Sequence, residues 1–406
     1  MVMMDYDEYY SPSTRALGPS AIREVIEMVA GKELVSLGAG WPNPECFPTE
    51  TIDELTTTSL ADRGNSMLQY GQTPGYEPLR EGIADRLVET FNLDVTADNI
   101  LISCGSQQAL YMLGQTFLND GDEIVIGAPT YVAAMSAFEA AADPEYIDVP
   151  VDEKGLDVDA LEDRIEGRDP TFVYTVPTFQ NPSGTTMPRD RRQRLVELAE
   201  EHDFLIVEDQ PYQELRYEGS HVDPIATHGP ERTIFLSTFS KILAPGFRVG
   251  WLAAPEPIHR KVAFIKEAID LHTSSFSQHI AHEYVASGAM TEQIDVINDV
   301  YDRKRGVILD TLADEMPPEV EWTRPEGGMF VWMTYPEDID TKEMLVDASD
   351  NGVAYVPGFA FYPNEPRHNR LRLNFTLAED EDLQVGVERL AETTRGSKPS
   401  GFSRGI

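Results

Sequence analysis

The sequence predicts an α/β protein whose central sheet is mostly parallel, followed by a smaller α+β unit. Three observations predict it. Short apolar strands alternate with helical patterns between about residues 100 and 240. Polar residues recur at the carboxyl ends of those strands, the edge where open parallel sheets bind ligands. Past about residue 290 the strands thin to residues 329–333 and 371–375, with helices between them.

The elements follow in chain order. Residues 5–20 are polar with two prolines and predict irregular structure. Residues 100–103 form a short apolar strand. Residues 105–118 form a helix with Ala109, Leu110, Leu113 and Phe117 on one face. Residues 123–126 are a strand followed by Pro129, and residues 172–176 are a β-rich run stopped by Pro177. Residues 189–202 read as an amphipathic helix with Leu195, Leu198 and Ala199 inward. Residues 204–207 are a wholly apolar strand running straight into Glu208 and Asp209. Residues 233–237 are a strand that ends just before Thr238, Phe239, Ser240 and Lys241. Residues 392–406 have the composition of a frayed tail.

Composition limits the function. A chain of 406 residues is long enough for two to three domains and a large core. It carries 70 acidic against 32 basic residues, a formal charge of −38. That charge repels phosphate backbones and anionic membranes, which excludes nucleic-acid or membrane-surface binding as a main function. The acid excess is spread along the chain, and only eight residues are lysine. Such a surface resembles that of proteins from salt-loving cells, and predicts stability that falls at low salt. Two cysteines, Cys46 and Cys104, cannot build a disulfide framework or a multi-cysteine zinc site, and fit a reducing cytoplasm. The first ten residues are acidic and unlike a secretory signal. The longest weakly polar stretch, residues 124–138, is too short to span a bilayer and contains Gly127 and Pro129.

Several residues could carry chemistry. Lys241 stands at a strand exit among the apolar Phe239, Ile242 and Leu243, which suits a Schiff-base lysine; it could also pair with a carboxylate. Asp209 at the sheet edge could pair with a protonated ring nitrogen, or simply cap a turn. Asn181 lies in the turn Gln180-Asn181-Pro182-Ser183-Gly184, which forms a tight bend and could aim an amide at a ligand oxygen. Gly105-Ser106-Gln107-Gln108 opens a helix directly after a strand, a site for an anion or only a cap. Arg372, flanked by Leu371 and Leu373, should face an anion or an internal acid, and Arg248 follows Lys241 by seven residues. His279, His282 and Glu283 have the wrong order for a zincin helix, so no metal site is expected.

The order and spacing of these motifs resemble the class I/II aminotransferases of the fold-type I pyridoxal-phosphate enzymes. The likeness runs through Gly38-Ala39-Gly40-Trp41-Pro42-Asn43-Pro44, Leu68-Gln69-Tyr70-Gly71, Gly105 to Leu110, Pro129-Thr130-Tyr131, Gln180 to Gly184, Glu208 to Tyr212, Ser240-Lys241 through Arg248, and Arg372. Gln180 and the run from Phe239 to Gly246 are most similar to the 2-aminoadipate and kynurenine/aromatic aminotransferase subgroup. Gln210 and Thr238 depart from it, where relatives often carry Asp and Ser.

The resemblance implies a large domain (residues 46–288) with a mostly parallel sheet flanked by helices. It also implies a smaller α+β domain (289–406) and an N-terminal segment (1–45) joining the small domain to the substrate site. It implies pyridoxal 5'-phosphate as cofactor, with Lys241 forming the Schiff base and moving the proton. Asp209 would keep the ring nitrogen protonated, and Asn181 and Tyr212 would bond the ring oxygen. Tyr131 would stack on the ring. Ser106, Gln107, Thr238, Ser240 and Arg248 would hold the phosphate, joined by Tyr70 from the partner of a homodimer. Arg372 would grip the substrate α-carboxylate, with Gly40 and Asn181 beside it.

The implied reaction moves an amino group from an aromatic, 2-aminoadipate-like or broad range of amino acids to a 2-oxo acid such as 2-oxoglutarate. Aspartate or branched-chain transfer, or a lyase or decarboxylase reaction on the same fold, stay open at this point. A transcription factor carrying an aminotransferase-like domain is disfavoured by the short segment before Gly38 and by the charge.

Overall fold

The computed structural model describes residues 34–396 throughout, together with residues 6, 9–11, 14, 15, 18 and 32. Most of the predicted irregular segment 5–20 and of the N-terminal segment, and residues 397–406 of the predicted tail, lie outside the described residues.

Fourteen strands are described, numbered in chain order. β1 (Val35–Ser36) pairs in parallel with β12 (Val353–Ala354). The large sheet holds β2 (Ile100–Ser103), β3 (Glu123–Ala128), β4 (Glu145–Asp152), β5 (Gly155–Leu156), β6 (Phe172–Thr175), β7 (Leu205–Asp209), β8 (Thr233–Thr238) and β9 (Gly250–Ala253). Its order is β2-β9-β8-β7-β6-β3-β4-β5. The block β8-β7-β6-β3-β4 is parallel throughout, while β9 and β5 run antiparallel to their neighbours. The second sheet, in the order β10-β11-β14-β13, joins β10 (Glu321–Trp322), β11 (Phe330–Thr334), β14 (Arg370–Asn374) and β13 (Val356–Pro357), all antiparallel.

Both faces of the large sheet are buried, as helical crossovers on a parallel sheet require. Alternation divides the side chains. Ile124, Ile126, Phe172, Tyr174 and Val207 enter the main core, whereas Val125, Val173 and Ile206 enter a second core under the helix Arg189–His202. Leu195, Leu198 and Ala199 of that helix are buried there, as its periodicity predicts.

Some boundaries differ from the sequence reading. β7 begins at Leu205 and continues through Glu208 and Asp209, so both acids lie inside the ladder. β4 and β9 are additional strands. The first has a polar, proline-containing sequence, and the second is only four residues long. The frayed tail is corrected in part: a helix runs from Asp380 to Gly396, because Leu390, Ala391 and Thr393 continue its buried face. Among the described residues no helix is long and apolar enough to cross a membrane.

Candidate active site

A cavity of about 760 Å³ opens where the carboxyl ends of β6, β7 and β8 face the second sheet. It brings together Gly40, Ser106, Gln107, Tyr131, Asn181, Asp209, Tyr212, Thr238, Ser240, Lys241, Arg248 and Arg372. Of the residues predicted for the site, only Tyr70 lies outside it. Tyr70 is 79% exposed and packs edge-on against His272.

Lys241 ends a single 3₁₀ turn, Phe239–Lys241, placed directly after β8. Its Nζ donates to the Gly40 carbonyl oxygen at 3.1 Å, which ties the strand exit to the segment after β1. Burial, then the charges of Arg372 and Arg248, lower the amine to about 8, within reach of the neutral nucleophilic form. No carboxylate among the described residues forms an ion pair with it.

Asp209 is the last residue of β7 and is buried. The Tyr174 hydroxyl, from the adjacent strand β6, donates to its Oδ2 at 2.9 Å, while its Oδ1 has no partner. Burial raises this carboxyl to about 7, against the lowering effect of the Tyr174 bond. A buried carboxylate with one free oxygen in a cavity is suited to a cationic ring nitrogen. The preceding residue, Glu208, points to the opposite face. It accepts from the Ile225 and Ala226 amides and from Gln210 Nε2, with Arg192 Nη1 3.9 Å away. Gln210 thus serves Glu208 and is not among the residues that line the cavity.

Asn181 bridges two functional side chains. Its Oδ1 accepts from Arg372 Nη1 at 2.8 Å, and its Nδ2 donates to the Tyr212 hydroxyl at 3.4 Å. Gln180 braces this loop by donating to the Pro129 carbonyl and accepting from the Ser183 amide, so the Asn181 and Tyr131 loops are fixed to each other. Burial raises Tyr212, and raises Tyr131 to about 12, so both phenols stay protonated near neutral pH.

The turn that opens the helix after β2 is shaped by glycines and could receive an anion. Gly105, at φ 71°, turns the chain from β2 into the helix Gly105–Phe117. A Cβ at Gly105 would lie 2.7 Å from Arg248 Nη2, and one at Gly250 would lie 2.7 Å from the Ser106 nitrogen. Only glycines allow Arg248 and β9 to close on the helix start. The first-turn amides of Ser106 and Gln107 have no intrahelical acceptor and carry the positive end of the dipole. Thr238 Oγ1 donates to Ser240 Oγ and accepts from the Ser240 amide, which fixes the facing turn.

Arg372, on β14, is buried without a carboxylate partner among the described residues. Nη2 donates to the Gly38 carbonyl at 2.8 Å, and Nε has no partner. The guanidinium lies 4.2 Å from the Phe330 ring centroid and 5.1 Å from that of Phe361. Burial lowers it to about 10, still charged at neutral pH. An arginine without an acidic partner, set between aromatic rings, is suited to a planar anion such as a carboxylate.

The sequence reading missed the Tyr174 hydroxyl on Asp209 and the buried Arg192 beneath Glu208. An aromatic hydroxyl and an arginine in otherwise apolar patterns are the only local signals of either. His279 stacks on Tyr76, with ring centroids 3.9 Å apart, and among the described residues no cluster of metal-ligating side chains occurs.

The chain matches the family described as aminotransferase class I and II over residues 33–390. It is 46% identical over 398 residues to an aromatic-amino-acid aminotransferase of Thermococcus litoralis, covering 97% of this chain and 95% of that protein. It is also similar to the crystal structure of a multiple substrate aminotransferase from Thermococcus profundus, with 46% identity, a TM-score of 0.93, and coverage of 97% and 99% of the two chains. An alpha-aminoadipate aminotransferase of Thermus thermophilus, solved with N-(5'-phosphopyridoxyl)-L-leucine, is 34% identical with a TM-score of 0.90, covering 97% of this chain and 99% of that one.

Proposed function

We propose a donor class and residue roles for this chain, which belongs to the aminotransferase class I and II family and is a pyridoxal-phosphate-dependent transaminase. The proposed reaction takes the amino group of an aromatic amino acid, within a broad donor range that includes 2-aminoadipate, and delivers it to a 2-oxo acid such as 2-oxoglutarate. The observation that carries the aromatic preference is the cavity lining. Trp41, Phe330, Tyr355, Val356 and Leu377 give it apolar and aromatic surface, and the described lining holds no cation beyond Lys241, Arg248 and Arg372. The names of the Thermococcus relatives agree with an aromatic or broad donor range.

The residues present fit pyridoxal phosphate: a free Oδ1 on buried Asp209, a glycine-shaped cradle beside Arg248, and a lysine amine lowered towards neutrality. When bound, the cofactor supplies an aldehyde and an electron-withdrawing ring. Asp209 would hold a proton on the ring nitrogen through its unpartnered Oδ1. Ser106, Gln107, Thr238, Ser240 and Arg248 would hold the phosphate. Tyr131 would pack on the ring, and Asn181 and Tyr212 would orient its oxygen. Arg372, with Gly40 and Asn181 beside it, would fix the substrate carboxylate so that Cα faces the Lys241 amine. That amine, neutral above about pH 8, would take the Cα proton.

Further readings accompany this one. The working unit is a homodimer in which Tyr70 completes the partner's phosphate site. Leu68, Tyr70 and Leu271 are exposed apolar side chains available to such an interface. We divide the chain at 45/46 and 288/289; the long helix Ala289–Glu315 begins after Gly288. Two free cysteines support a cytoplasmic setting, and the charge of −38 supports a salt-adapted one.

The test is a single-turnover screen. Each of the twenty amino acids and 2-aminoadipate is incubated with the loaded enzyme in high salt without acceptor, and the 2-oxo acid released per site is measured. Aromatic donors should react fastest. Preference for aspartate over phenylalanine would overturn the proposed donor class.

A further inference from the structure

Lys266 is a charged group that the reaction does not use. It lies on the helix Glu256–Asp270 and is fully buried. Its Nζ donates to Gln108 Oε1, to both carboxylate oxygens of Asp270 and to Thr273 Oγ1, each at 3.0 Å. An apolar side chain would fill the same space without the desolvation cost of an ammonium. A three-donor cation instead holds acceptors from three segments at once.

The key acceptor is Gln108. Its Oε1 also receives the Cys104 backbone N–H at 2.7 Å, and its Nε2 donates to Asp270 Oδ2 at 2.6 Å. Cys104 is the residue that precedes the helix Gly105–Phe117, and its own side chain makes no cap. Gln108 therefore caps the turn from within the helix. It consumes the Cys104 N–H and leaves the next amides facing the cavity. The second acceptor, Thr273, donates to the Ile102 carbonyl at 3.4 Å and adjoins His272, whose Nε2 accepts the Gly71 amide.

We infer that Lys266 is a positioning residue for the phosphate end of the cofactor: by fixing Gln108 and, through it, the Cys104 N–H, it sets the direction of the Ser106 and Gln107 amides. This rests on the reading that those amides hold the phosphate. Lys266 touches neither cofactor nor substrate. Its effect is confined to the phosphate, because the ring and the aldehyde are held from β7, β8 and the Asn181 loop.

The test compares pyridoxal phosphate with pyridoxal, which has the same ring and aldehyde and no phosphate. Kd values for both are measured by absorbance titration of the full chain stripped of cofactor, for the wild type, Lys266→Met and Gln108→Met. Loss of a charge-assisted contact network should weaken pyridoxal phosphate about ten- to a hundredfold in both variants. Pyridoxal should change less than about twofold, as expected for contacts that do not reach the ring. Equal weakening of both ligands would show a general packing defect and overturn the inference, as would an unchanged pyridoxal phosphate Kd. If Lys266→Met does not fold, Gln108→Met decides alone, since it leaves the ammonium its Asp270 and Thr273 partners. A wild-type chain that binds pyridoxal as tightly as pyridoxal phosphate would refute the underlying phosphate reading instead.

Discussion

Arg372→Ala isolates the proposed carboxylate receptor. In the intact site the guanidinium donates to Asn181 Oδ1 and the Gly38 carbonyl, keeps Nε free, and is walled by Phe330 and Phe361. Truncation leaves an incoming carboxylate without its guanidinium partner. Removing one partner of a buried charge pair costs about 2–4 kcal/mol, near the lower end of the measured range. That is a fall of about 30- to 900-fold in kcat/KM for amino-acid donors. A general loss of packing would also lower activity, so a second readout is needed. The carboxylate 3-phenylpropanoate has the shape of an aromatic donor but no amine. Its Kd for the loaded enzyme should rise by the same factor, whereas the cofactor Kd should rise by less than about tenfold, because Arg372 reaches the cofactor only through Asn181. Wild-type kcat/KM, or equal weakening of 3-phenylpropanoate and cofactor, would refute the receptor role.

Four other expectations are equally direct. Lys241→Ala should abolish turnover and leave no cofactor attached after borohydride reduction; retained transamination sinks its assignment. In the wild type, attachment of cofactor to the stripped chain should speed up as pH rises through about 8 and level off above it, because burial has lowered the Lys241 amine and only its neutral form attacks. Asp209→Asn should lower kcat by about a hundredfold or more, the scale of losing one preorganised charge; it should also remove a rise in cofactor affinity between pH 6 and 8, where the buried wild-type carboxyl ionises. The charge of −38 predicts a melting midpoint several degrees higher in molar KCl than at low salt, and an unchanged midpoint would contradict it.

The elements that bear the site were legible wherever pattern and position coincide locally. An apolar run ending at two acids, or a Gly-Ser pair opening a helix, betrays both the strand and its functional edge within ten residues. Asp209 shows the limit of such reading. The sequence places two acids after a strand; only the register of β7 shows that they face opposite ways, Glu208 into a buried hydrogen-bonded pocket and Asp209 into the cavity. The Tyr174 hydroxyl on Asp209 depends on β6 lying beside β7, which strand order and not local pattern decides. Lys266 and Gln108 are 158 residues apart and meet only in the folded chain. Long-range polar contacts leave no periodic trace, because a single buried lysine looks the same in a helix pattern as an exposed one.

Surface charge and site charge point in opposite directions here, and the contrast explains how the chain selects its ligands. The molecule is strongly acidic, yet the described cavity lining contains three cations and one carboxylate, Asp209. Overall charge therefore governs solubility and salt response, while ligand choice follows from the local inversion. The two arginines divide that task by environment. Arg248 is exposed at a positive-φ turn and lies against a helix start, where solvent screens it and several amides share the work. Arg372 is dry, aromatic-walled and without a carboxylate partner among the described residues, so an interaction with a carboxylate there would be little screened and geometrically strict. A phosphate shared among the helix-start amides, Thr238, Ser240 and Arg248 would lose only part of its hold when one contact is removed. The proposed carboxylate fork has no such reserve: every amino-acid donor presents the same α-carboxylate, so a change at Arg372 should weaken all donors alike, and donor choice should fall to the apolar lining of the cavity.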